Sequence, residues 1–112
     1  MEVISWNDFE KVELRVGTIV KVDDFLDDKK SAYKLWTDFG SEIGIKKSSA
    51  QITKIYSKEE LIGKQIIGVI NFPKKQIANF SSEFLTTGFI GENGEVVLAQ
   101  PERKVKNGSK LA

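Results

Sequence analysis

The 112-residue chain has no cysteine and no histidine. The first absence removes disulfides, thiolate metal ligands and a cysteine nucleophile together; nothing here needs an oxidising compartment, and the cytoplasm is the expected location. The second removes the commonest general base and the commonest nitrogen ligand for metals. Without either residue, nearly every familiar hydrolase constellation is excluded. No Gly-x-Ser-x-Gly and no glycine-rich phosphate loop takes their place, so the chain reads as a non-enzyme with no cofactor and no metal. Long apolar runs are missing as well: nothing approaches the roughly 18 residues of a membrane span. Residues 1–8 lack the basic and apolar regions of a secretory leader, so neither membrane insertion nor export by its own signals is expected.

What is present is ordinary globular composition, 40% hydrophobic and 29% charged, at a length suited to one core; residues 1–112 read as a single domain. Net charge is only +1, but it is unevenly spread. Up to Glu42 there are ten acids against six bases, and from Ile43 onward six acids against eleven bases, which puts any surface for an anionic partner in the later part.

Ser5 or Asn7 can cap a short turn, after which Leu14, Val16, Thr18, Val20 and Val22 alternate with Arg15, Gly17, Ile19 and Lys21 as a long strand, Gly17 offering a site for a bulge. A polar stretch with Asp23, Asp24, Asp27 and Asp28 precedes a second alternating run, Tyr33 to Phe39, and Ile43 to Ile52 reads as a third strand. The four aspartates could hold a hard cation, but their spacing is not that of an EF-hand and Lys29 and Lys30 adjoin them; a solvated hairpin loop is the better reading. Ser57 and Glu60 have capping-box spacing for a helix of little more than one turn, closed by Gly63. Gln65 to Phe72 is a nearly continuous β-branched run suited to a strand buried on both faces at a barrel centre, and 84–90 pairs across Glu92-Asn93-Gly94 with 96–99. This order predicts an all-β, five-stranded OB-fold barrel with one short helix between strands 3 and 4 and short terminal extensions.

Two lysine clusters are candidates for phosphate contact: Lys46 and Lys47, followed by Ser48 and Ser49, and Lys74 with Lys75. Each pair alone is as readily a solvated face. Trp36, Phe80 and Phe84 can offer stacking faces to unpaired bases, although core packing is the commoner fate of such residues. Trp36 stands apart because Leu35 and Thr37 lie on the other side of its strand.

The segments Asp8 to Ile19, Tyr33 to Gly40, Gly44 to Ile52 and Val69 to Pro73 resemble the CsaA family, within the wider tRNA-binding-domain group. That resemblance implies an OB-fold homodimer whose extensions, here 1–12 and 101–112, build the interface, with Trp6, Val105 and Leu111 as candidate contacts. It implies tRNA as partner, with Lys46, Lys47, Ser49, Lys74, Lys75 and Ser82 as candidate RNA-binding residues. It also implies unfolded preproteins and the SecA export motor as partners, in which case Trp36 and Phe84 are the candidate peptide contacts. The wider group carries Ser-x-Gly-Met after its Asn-Leu-Lys-Pro-like segment; here Ser82 matches, and Phe84 and Leu85 stand at the Gly and Met positions.

Overall fold

The computed structural model describes residues 1–26 and 31–112. Helix α1 (Trp6–Glu10) opens the chain: Ser5 accepts from the Asp8 amide and the Asp8 carboxylate accepts from the Ser5 amide, each at 3.1 Å, a reciprocal cap that anchors an otherwise marginal turn. Strands β1 (Leu14–Phe25), β2 (Ala32–Asp38) and β3 (Ile45–Ala50) follow, then α2 (Lys58–Leu61), capped reciprocally by Ser57 and Glu60 as expected. After β4 (Gln65–Val69) come five short strands: β5 (Lys75–Ile77), β6 (Phe80–Ser82), β7 (Leu85–Thr86), β8 (Gly88–Ile90) and β9 (Val96–Leu98).

The main sheet is antiparallel and curled, in the order β3-β2-β1-β4-β7, with β5–β6 and β8–β9 as separate hairpins. This is an all-β, OB-type arrangement with its short helix between β3 and β4. The barrel is partly open in hydrogen-bonding terms: among the described residues no ladder joins β3 to β7, and the seam is bridged by side chains, Thr86 Oγ1 lying 3.2 Å from Ser48 Oγ. Ile19, Leu35, Phe39, Leu61 and Ile66 are almost wholly withdrawn from water at its centre. Each such side chain contributes about 1.5–3 kcal/mol of burial before entropy is counted.

Four expectations change. The bulge in β1 falls at Val20, not Gly17: Ile19 pairs with Thr37 and Lys21 with Trp36, leaving Val20 between them and half exposed. Up to that point Gly17 and Ile19 face inward; beyond it the faces swap and Val22 packs on the core. Gly17 is instead the place where Thr37 and Phe39 press against the backbone. The central strand is β1 rather than the apolar run at Gln65, whose β4 ends at Val69 and leaves Phe72 exposed. The strand expected over 84–90 is split into β7, paired with β4, and β8, paired with β9, while the segment after Pro73 forms the β5–β6 hairpin. Asp23 and Asp24 lie within β1, facing Lys21 at 3.7 Å and Lys58 at 2.9 Å; Asp27 and Asp28 lie outside the described residues.

The chain's end docks on the first half of β1, where β2 has not yet begun to pair. Gly108 donates to Val16 O at 2.7 Å, Val16 to Ser109 O at 3.0 Å and Leu111 to Leu14 O at 2.9 Å. Glu13 tightens this dock. Its carboxylate accepts from Arg15 at 2.7 Å and from Lys110 at 3.2 Å, and these two cations hold it below the usual carboxylate range. Arg15 in turn donates to Gly108 O at 3.0 Å.

Candidate nucleic-acid interface

Strand alternation decides which side chains can meet a ligand. On β2, Tyr33, Leu35 and Thr37 are buried, which turns Lys34 and Trp36 outward. The ladders then align Lys21, Trp36 and Lys47 in one cross-strand row and Asp23, Lys34 and Ser49 in the next. Lys21 Nζ lies 4.5 Å from the centre of the Trp36 ring. Lys34 Nζ lies 5.2 Å from Phe25 and 5.4 Å from Phe80, and Lys47 Nζ 5.3 Å from Phe80. The outer face of β1, β2 and β3 is therefore a surface of cations laid over aromatic rings, a chemistry that suits phosphates with exposed bases.

The β5–β6 hairpin borders this face. Phe80 reaches over the sheet, edge-on to Trp36 at 6.1 Å and tilted against Phe25 at 5.5 Å. Along the free edge of β3, side chains replace a sixth strand: Ser82 Oγ accepts from the Ser49 amide at 3.2 Å and Glu83 Oε1 from the Lys47 amide at 3.0 Å. The Glu83 amide donates back to Lys47 O at 2.7 Å. Beyond this seam a groove of about 520 Å³ opens, with Ser49, Lys74, Lys75 and Ser82 on its walls and Phe72, Phe84 and Leu85 among its apolar lining.

Of the six residues nominated for RNA, four thus line one groove and Lys47 lies on the adjoining outer face. Lys46 does not join them: it shares the strand parity of buried Ser48 and Ala50, so adjacent lysines on β3 point to opposite faces. Ser82 is buried, with its hydroxyl committed to the Ser49 amide, which makes it a fixture of the wall. Phe84, only 4% exposed and edge-on to Phe39 at 4.9 Å, is floor rather than a free stacking face. Trp36 is half buried on the outer face. Trp6, Val105 and Leu111 are exposed, Trp6 at 62% with its ring against Phe9.

Sequence reasoning passed over Lys21, Lys34 and Glu83. Lys34 was within reach, since it shares the period-two face of Trp36; Lys21 was hidden by the bulge, which swaps faces just before it. Ser31-Ala32-Tyr33-Lys34 has the spacing of a Ser–Lys catalytic pair, but it runs into a strand, where positions three apart project to opposite sides.

A curled antiparallel sheet, one short helix before its fourth strand, and cations with aromatics on its second and third strands define the OB class of small oligonucleotide- and oligosaccharide-binding modules. Residues 14–110 match the family described as "Putative tRNA binding domain", and the chain belongs to that family. The methionine–tRNA ligases of Pyrococcus horikoshii and Chlorobium phaeobacteroides are 36% and 37% identical over 112 and 111 residues, 99% and 97% of this chain. The chain spans only 15% of the length of each ligase. Two crystal structures resemble it over their whole length: the CsaA chaperone of Picrophilus torridus at 53% identity and TM-score 0.91, covering 98% of this chain and 100% of that one, and the CsaA chaperone of Bacillus anthracis at 45% and 0.93, covering 99% and 100%. A methionyl-tRNA-synthetase-related protein of Pyrococcus horikoshii follows at 28% and 0.87, with both chains fully covered.

Proposed function

We propose that this chain is a non-catalytic tRNA-binding protein of the CsaA type, holding RNA across the outer face of β1–β3 and the adjoining groove. The observation that carries this reading is the convergence of Lys47, Ser49, Lys74 and Lys75 around one seam, beside Lys21 and Lys34 over Trp36, Phe25 and Phe80. Lysines meeting phosphates supply affinity that does not depend on sequence, and half-buried Trp36 supplies a ring for stacking an unpaired base, backed by Phe25 and Phe80, which are buried like Phe84. Ser82 is the fixture that holds the wall of this groove, and Lys46 is the weakest of the candidates.

In this reading residues 1–112 act as one domain in the cytoplasm, pairing as a homodimer through 1–12 and 101–112. Exposed Trp6, Val105 and Leu111, with Val3 and Ile4 beside them in sequence, are the support for that pairing. A second reading rests on the groove's apolar lining, Phe72, Ile77, Phe84 and Leu85: an extended stretch of an unfolded preprotein could lie there, as the chaperone name of the CsaA neighbours suggests, with SecA as the downstream export partner.

Fluorescence anisotropy of labelled bulk tRNA, titrated at two salt concentrations, separates the two. The RNA reading expects binding that weakens steeply with salt and falls at least about tenfold on Lys47→Glu, with a smaller effect from Lys46→Glu. Absence of tRNA binding at low salt, together with capture of an unfolded preprotein that is insensitive to Lys47→Glu, would replace it with the second reading.

A further inference from the structure

One charge in the groove region runs against the rest. Glu83 is an anion set between the backbone of Lys47 and the ammonium of Lys74, in a cluster whose other charged members near the seam, Lys47, Lys74 and Lys75, are cations. Its position is held independently of Lys74. Oε1 accepts the Lys47 amide at 3.0 Å and the Glu83 amide donates to Lys47 O at 2.7 Å, whereas Lys74 Nζ stands at 3.9 Å from Oε2 on a side chain 71% exposed. An exposed pair of that kind holds nothing in place, so the carboxylate is positioned by the β3 edge and not by Lys74. The Glu83 side chain is itself about a quarter exposed, its Oε2 turned toward Lys74.

A fixed carboxylate among phosphate-binding lysines opposes any polyanion. It can also accept a hydrogen bond, which a featureless polyanion cannot donate and RNA can, through a ribose 2′-hydroxyl or a base amino group. Building on the tRNA reading, we infer that Glu83 is a selectivity residue: it weakens purely electrostatic ligands and spares RNA that presents a donor to Oε2. It does so from the free edge of β3 beside the groove, where its other carboxylate oxygen accepts the Lys47 amide, so the two duties are separable only by an isosteric change.

Glu83→Gln makes that change, since the amide oxygen can still accept the Lys47 amide while the charge is lost. The test titrates wild type and Glu83→Gln with tRNA and with inorganic polyphosphate, at low and at raised salt. Polyphosphate is expected to bind the variant about three- to tenfold more tightly at low salt, a gain that shrinks as salt screens it, while tRNA gains less, so the tRNA-to-polyphosphate preference drops at least about threefold. Equal gains for both ligands, or no gain for either, would overturn the selectivity role. If Glu83→Gln is poorly folded, Lys74→Ala is the reciprocal probe: it leaves the Glu83 charge less balanced, and polyphosphate must lose more affinity than tRNA. An equal loss there overturns the proposal too. A wild type that binds polyphosphate but no tRNA would overturn the RNA reading itself, and is distinguishable because it precedes any effect of the variants.

Discussion

At Gly17 the core leaves no room for a single methyl. A Cβ there would stand 2.6 Å from Thr37 Cγ2 and 2.8 Å from Phe39 Cδ1, both on buried side chains that have nowhere to retreat. Strand propensity alone would favour Ala, yet Gly17→Ala is expected to destabilise the fold by about 1–3 kcal/mol in urea unfolding, with the slope of the transition unchanged. Glu13 carries a prediction of a different kind. Arg15 and Lys110 lower its folded-state pKa, so its contribution is present above the ordinary carboxylate range and is lost as pH falls through the depressed value. Glu13→Gln should therefore flatten the acid limb of a plot of melting temperature against pH between about 5 and 3, and a limb as steep as wild type would show that the carboxylate does not clip the tail. The sequence displays both residues but neither role, because the partners of Glu13 include a residue at the far end of the chain and those of Gly17 come from another strand.

Among the elements, the β5–β6 hairpin matters most for the site and was least legible. Three-residue strands leave too short a pattern for alternation to be read, and the turn contains no glycine: Ala78 takes φ 52, a left-handed conformation that a Cβ disfavours. Ala78→Gly should relieve that strain and raise stability by up to about 1 kcal/mol, slowing hydrogen exchange in the hairpin amides; destabilisation would mean that the flexibility glycine adds to the unfolded chain outweighs the strain. The helices were the easier case. Ser57 with Glu60 is a cap made within four residues, so local spacing sufficed, and of the two candidates Ser5 and Asn7 the structure selects Ser5, paired with Asp8.

For the whole molecule, the two ends have different attachments. The last residues are bonded along β1, whereas α1 carries exposed Trp6, beyond which Asn71 secures the entry to β1 by accepting from the Glu13 amide and donating to Lys11 O. Exposed apolar side chains at both termini lose water if two copies pair. Sedimentation equilibrium is expected to find a dimer, and Leu111→Glu together with Trp6→Ala should shift it to monomer while leaving far-UV circular dichroism unchanged. A wild type that stays monomeric at high concentration would remove the homodimer from the functional picture.

Sequence by itself determined whatever depends on neighbours along the chain: the existence of the first three strands, the alternation of the second, the Ser57–Glu60 cap, the glycine-closed helix, the exclusion of thiol and imidazole chemistry, and the CsaA resemblance that carries the fold. Only the tertiary structure decided which cations share a surface. Lys46 and Lys47 are adjacent in sequence yet face opposite sides because a strand alternates. Lys21 joins Trp36 only because a bulge at Val20 turns it there. Lys74, Lys75 and Glu83 reach the edge of β3 only because a hairpin folds back across some thirty positions of chain, and no local pattern encodes a contact between groups so far apart in sequence.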